Sequence, residues 1–185
     1  TGSNASFIPT SSILNSTFTW TATGSSANVS GYTTAGAGTI GDVLTNSGSA
    51  VETVTYVITP IGPAPTFCAG TPVNFVVTVN PSPVVDPVAN QTICNNSATA
   101  AINFTSATAG ANFSWVNSDA TIGLVVGGIG NIVPLTATNV GTVPVVATIT
   151  VTADANGCFG PPLNFTITVD PSPTISNATL TQTIC

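Results

Sequence analysis

The chain has 185 residues, enough for one large domain or two smaller ones. It contains no Lys, Arg, His or Met, and six acidic residues give a net charge of −6. Without cations it has nothing to neutralise nucleic-acid phosphates, and without His or Lys it lacks the base of Ser-His, Cys-His and Lys-based nucleophilic chemistry.

A packed core is still within reach. Apolar residues make up 43% and the mean hydropathy is +0.49, so low charge does not signal disorder here. No apolar run reaches the roughly 18 residues of a membrane helix, and no membrane insertion is expected. No basic leader is visible; the missing Met reads as a mature product or a segment of something longer. Cys68, Cys94, Cys158 and Cys185 are separated by 26, 64 and 27 residues, which is not metal-clip spacing. They read as disulfide cysteines and imply an oxidising, extracellular or cell-surface setting.

Taken in chain order, the predicted elements are all strands. Phe18 and Trp20 share one face of the first clear strand, and Val73, Phe75, Val77 and Val79 are the alternating positions of another. Pro81-Ser-Pro83 denies ladder hydrogen bonds and marks a junction. A strand is expected within Val84–Ile93, and Phe113 and Trp115 repeat the Phe-x-Trp pattern. Gly123–Gly130 reads as a bent β-edge; no Lys or helix follows to make it a phosphate loop. Val145, Ala147, Ile149 and Val151 alternate with outward positions, Asn156-Gly157 is a hairpin turn, and Leu163, Phe165, Ile167 and Val169 form the next strand. The outward positions are rich in Thr, which favours the β-region. No segment has a helical period.

The chain repeats itself. Cys68-Ala-Gly-Thr-Pro-Val-Asn-Phe-Val-Val-Thr-Val-Asn-Pro-Ser-Pro83 recurs as Cys158-Phe-Gly-Pro-Pro-Leu-Asn-Phe-Thr-Ile-Thr-Val-Asp-Pro-Ser-Pro173. Gln91-Thr-Ile-Cys94 recurs as Gln182-Thr-Ile-Cys185, and Thr17-Phe-Thr-Trp20 as Asn112-Phe-Ser-Trp115, with offsets between 90 and 95. About seven short strands per repeat define an all-β fold of two tandem immunoglobulin-like sandwiches, with Trp20 and Trp115 as core residues.

These motifs resemble the PKD-like or Ig-like tandem repeats of giant surface proteins of Bacteroidota-type bacteria. The resemblance covers nearly the whole chain. It implies a stalk or fibre module of a secreted adhesin.

Following the repeat template gives an incomplete first sandwich at 1–81, a complete one at 82–173, and at 174–185 a first strand with no domain after it. The tail of one copy is therefore expected to supply the first strand of the next copy. Cys94 is expected to pair with Cys158 within one copy, and Cys185 with Cys68 of the next. Such a heterologous contact propagates into a filament. The copies are either windows of one long polypeptide or separate subunits joined by strand donation.

Chemistry is sparse. Asp42, Glu52, Asp86, Asp119, Asp154 and Asp170 form no acid–base motif, and Asp154–Gly157 reads as a turn rather than a calcium loop. Nine Asn-x-Ser/Thr sequons, at Asn4, Asn15, Asn28, Asn90, Asn95, Asn103, Asn112, Asn164 and Asn177, make glycans a possible partner. No cofactor, metal or catalytic residue is expected. The sequence thus reads as a non-enzymatic structural repeat whose partners are further copies of itself. The competing reading is a carbohydrate- or protein-binding surface module using Tyr32, Phe67 and Phe159.

Overall fold

The computed structural model describes residues 2–175 and residue 184. The chain divides into two compact units. The first is Thr1–Val84 with Ser106–Ala111 and Asp154–Pro161; the second is Val85–Thr105, Asn112–Ala153 and Pro162–Cys185.

Seven strands build the first unit: β1 (Ser3–Phe7), β2 (Thr17–Gly24), β3 (Val29–Ser30), β4 (Ala35–Ala37), β5 (Ile40–Asn46), β6 (Glu52–Ile61) and β7 (Val73–Val79). They form one sheet in the order β4-β2-β6-β7 and a second in the order β1-β5-β3. In β2, Trp20 and Ala22 turn inward while Thr19, Thr21 and Thr23 face out, the period of a sheet with one buried face. Trp20 meets Tyr56 edge to face at 5.6 Å, and Ile40, Leu44 and Val54 close the core.

The remaining sheet is built from β8 (Gln91–Cys94), β9 (Asn112–Asn117), β10 (Gly127–Ile129), β11 (Val145–Ala155), β12 (Cys158–Phe159) and β13 (Leu163–Asp170), all in the second unit except the hairpin tip Asp154–Pro161, which belongs to the first. The order is β10-β9-β11-β13-β8, and β12 pairs with β11. Residues Ala147, Ile149, Val151, Phe165, Ile167 and Val169 form the buried stripe that the alternation predicts. A 3-10 turn at Ala120–Ile122 interrupts the β structure, capped by Asp119, whose side chain accepts from the Thr121 N–H. Two tandem β-sandwiches are thus the observed architecture.

Three features differ from, or add to, the sequence reading. The strand expected within Val84–Ile93 is confined to Gln91–Cys94. Upstream, the Asp86 N–H donates to Thr105 O and the Asp86 carboxylate accepts from the Thr105 hydroxyl, while Asn90 Oδ1 accepts from the Thr166 N–H. Side chains and Pro87 therefore take over where a ladder was expected. Of the Gly-rich stretch, Gly123 caps the 3-10 turn and Gly127 and Gly128 lie on edge strand β10, where Gly128 stands opposite Trp115. A Cβ there would lie 2.5 Å from Trp115 Cζ2, so the missing side chain makes room for an indole. Gly36 holds the same place opposite Trp20. Both tryptophans are buried, and Trp115 Nε1 donates to Gly130 O at 3.1 Å, whereas Trp20 Nε1 has no acceptor among the described residues.

The third difference concerns the cysteines. Cys94 and Cys158 are free thiols. In the parallel pairing of β8 with β13, Cys94 stands beside Asp170, the last residue of β13. Cys158 pairs with Ala155 in the hairpin beyond the other end, where Asn156 and Gly157 both have positive φ, as a type I′ turn requires. Leu163 to Asp170 alone spans about 23 Å of extended strand. A disulfide tolerates a Cα separation of about 7 Å at most. The expected bond between Cys94 and Cys158 within one copy is therefore not formed in this structure: membership of one sandwich does not bring its two ends together.

Candidate functional site

The edge of β7 is the feature that distinguishes the two units. In the second unit β13 is flanked by β11 and β8; in the first, among the described residues, β7 ends its sheet. The two strands are repeat equivalents, since both carry an Asn-Phe pair and end before Pro-Ser-Pro. Their burial differs accordingly. Phe165 is 2% exposed and Ile167 is fully buried, but their counterparts Phe75 and Val77 are only partly buried. Phe75 stacks on Phe7 at 4.5 Å and tilts against Tyr56 at 5.9 Å, only partly buried against the core. An unpaired strand edge beside half-covered apolar side chains is a template for an added strand.

A groove runs along this edge, all of it within the first unit. Its volume is about 380 Å³, and its lining includes Val77, Thr78, Val79 and Asn80 on one side and Ser3, Asn4 and Ala5 on another. Gly157, Cys158 and Phe159 of the hairpin stand at the same groove, and Asn80 Nδ2 donates to Asn156 O at 3.5 Å. Val77–Asn80 are the equivalents of Ile167–Asp170, the four residues that pair with Gln91–Cys94.

The tail supplies the complementary observation. Ile175 and Ile184 are 77% and 82% exposed. The counterpart of Ile175 is Val85, 3% exposed, and that of Ile184 is Ile93, which packs on the second core. The rest of the tail, including Cys185 and its expected bond to Cys68, lies outside the described residues. Cys68 itself is an exposed free thiol whose carbonyl accepts from the Gly62 N–H at the tip between β6 and β7.

The acidic residues do structural work. The Asp42 carboxylate accepts from the Tyr56 hydroxyl at 2.7 Å, the Thr33 N–H at 2.9 Å and the Thr33 hydroxyl at 2.8 Å. Burial raises the Asp42 pKa, but these hydrogen bonds outweigh it and hold the group below its ordinary value. Burial, then the bond to Asp42, pushes the Tyr56 phenol up, so it stays a donor. A depressed folded-state pKa means that the unfolded chain binds the proton first. The Asp42 contribution is present above the unfolded value of about 3.9 and is lost as pH falls through the lower folded value. Thermal unfolding followed between pH 5 and pH 2 is expected to lose more stability in the wild type than in Asp42→Asn, whose curve is flatter over that window. Asp154 lies in the β11–β12 hairpin, and no group of three or more metal-ligating side chains occurs among the described residues.

Phe67 and Phe159 are exposed at 62% and 73%, whereas Tyr32 packs against the first core. No helix is long and apolar enough to cross a membrane.

An all-β tandem repeat whose two units differ at the β7 edge defines a modular β-sandwich protein. The family model described as a PKD-like domain matches residues 3–83 and again 91–173, and the chain belongs to that family. No curated protein matches it. PKD-like domains of this kind typically serve as non-catalytic extracellular modules with structural or adhesive roles.

Proposed function

We propose that this chain is a structural repeat of an extracellular bacterial filament or adhesin stalk, assembled head to tail by strand complementation. The tail 174–185 of one copy enters the β7 groove of the next and takes the place that β8 has beside β13. In that register Gln182 lies opposite Val77, Thr183 opposite Thr78, Ile184 opposite Val79 and Cys185 opposite Asn80. The observation that supports the reading is the contrast between equivalent strands: one edge covered by Gln-Thr-Ile-Cys, the other without a partner strand among the described residues, with a second Gln-Thr-Ile-Cys in the tail. Added ladder bonds and burial of Ile175, Ile184, Phe75 and Val77 drive the association; full burial of one such side chain is worth about 1.5–3 kcal/mol. Pro-Ser-Pro marks the junction each time.

The test uses the purified chain under reducing conditions. Sedimentation and electron microscopy are expected to show end-to-end oligomers that lengthen with concentration. Deleting residues 174–185 is expected to give monomers with unchanged β-sheet circular dichroism. A synthetic peptide of residues 174–185 is expected to bind the deleted chain and raise its melting temperature. Oligomers that persist in the deletion variant would refute the strand assignment.

A further inference from the structure

We infer that the donated strand is locked by Cys158, so that Cys185 of one copy is bonded to Cys158 of the copy whose first unit it completes. The inference rests on the strand reading above and adds the covalent partner, which differs from the Cys68 expected from the sequence.

The argument is one of register. Cys94 stands beside Asp170 in the covered edge. Asp170 and Asn80 are repeat equivalents, so a tail docked in the same register carries Cys185 to Asn80. At Asn80 the neighbour is the Asn156–Phe159 hairpin: Asn80 Nδ2 reaches Asn156 O at 3.5 Å, and Cys158 lines the same groove. Cys158 is partly exposed there as a free thiol. Cys68 precedes the opposite end of β7 and is held by its bond to Gly62. Val73 to Val79 spans about 20 Å of strand, well beyond disulfide reach.

The same rule assigns the second bond. Cys94 occupies the exit end of the second unit, beside a cavity of about 560 Å³ lined by Asn95, Asn139, Val140, Pro171 and Pro173. Val140 and Pro173 are exposed there, while Pro81 and Pro83, the equivalents of Pro171 and Pro173 in the unit that holds the hairpin, are fully buried. The occupant is the Cys68 hairpin of the following copy, which brings Cys68 to Cys94. Successive copies are therefore joined by two disulfides, from Cys185 to Cys158 and from Cys94 to Cys68. Each forms by thiol–disulfide exchange with a small-molecule disulfide such as oxidised glutathione. Two protein thiols become one protein disulfide, and the reagent leaves as two thiols carrying the two protons.

The experiment oxidises the assembled chain with oxidised glutathione, digests it with thermolysin, since trypsin has no site, and maps the linked peptides by mass spectrometry without reduction. Linked peptides containing Cys158 with Cys185, and Cys68 with Cys94, are the expected result. Bonds from Cys94 to Cys158 or from Cys68 to Cys185 would overturn it, as would thiols that stay free in well-formed oligomers; the strand reading survives both outcomes. Absence of any association under reducing conditions removes the strand reading and this inference together. In the double variant Cys68→Ser and Cys158→Ser, oligomers are expected to persist by microscopy, while denaturing non-reducing gels show monomer in place of a ladder. A persisting ladder in that variant contradicts the assignment.

Discussion

Gly128→Ala is expected to destabilise the second unit by about 2 kcal/mol, and Gly36→Ala to do the same in the first. Neither position has a positive φ, so the cost is not backbone strain. It is space: the added methyl at either position would lie inside the van der Waals envelope of the facing indole. Each glycine sits on a short edge strand, so the strand can shift, and that relief keeps the cost from being larger. For a unit of this size, about 2 kcal/mol lowers the melting temperature by roughly 10 °C. Gly41→Ala is the control: a Cβ there meets nothing within 4 Å, and no change beyond about 0.5 kcal/mol is expected. The mechanism predicts coupling. Gly36→Ala combined with Trp20→Phe should cost less than the sum of the two, because the smaller ring vacates the space that the methyl needs. Calorimetry of the single and double variants decides it. Additive losses would mean that the glycine serves something other than the indole.

This pair also shows where the sequence was readable and where it was not. Period-two alternation located β7, β11 and β13, because a strand with one buried face writes its burial directly into the chain. Asn156-Gly157 announced its turn for a similar reason: two successive residues at positive φ tolerate few alternatives. The Phe-x-Trp strands and the two buried tryptophans were legible from the repeat. Gly36 and Gly128 were visible only as members of Gly-rich edges, since their purpose depends on which residue lies across the ladder. Cross-strand partners are set by register, and no local pattern in this chain states the register of β9 with β10.

The cysteines illustrate the same limit with larger consequences. Their repeat spacing was plain, and the phase of the repeats pointed to an open strand position in the first sandwich. The pairing needed one more fact, the direction of β8. A parallel β8 puts Cys94 at the end of β13 where the chain leaves the sandwich, and the hairpin puts Cys158 at the opposite end. Had β8 run antiparallel to β13, Cys94 would have lain toward the hairpin instead. Strand direction is a non-local property fixed by how the core closes over Val85 and Ile93, and alternation is silent about it.

Asn139→Ala is expected to cost about 3 kcal/mol. Asn139 is 4% exposed. Its Nδ2 donates to Val143 O at 2.8 Å and to Val169 O at 2.7 Å, and its Oδ1 accepts from the Gly141 N–H at 2.9 Å. Truncation strands two carbonyls and one N–H where little water reaches, and each buried orphan costs about 1–3 kcal/mol. Val169 is the residue opposite Ile93, so the lost bond also frees the end of β13 against which β8 is laid. Asn46 repeats the device in the first unit, with Nδ2 donating to Ala50 O and Val79 O and Oδ1 accepting from the Gly48 N–H. Asn46 is only partly buried, and among the described residues no strand covers the end of β7. Water can replace part of what Asn46→Ala removes, and a loss of about 1 kcal/mol is expected for the isolated chain. If the tail of a neighbouring copy seals that edge, the two sites become alike. Chemical unfolding with and without the 174–185 peptide should then show the Asn46→Ala loss rising toward that of Asn139→Ala when the groove is filled. A loss at Asn46 that the peptide leaves unchanged would mean that the docked segment does not cover Val79.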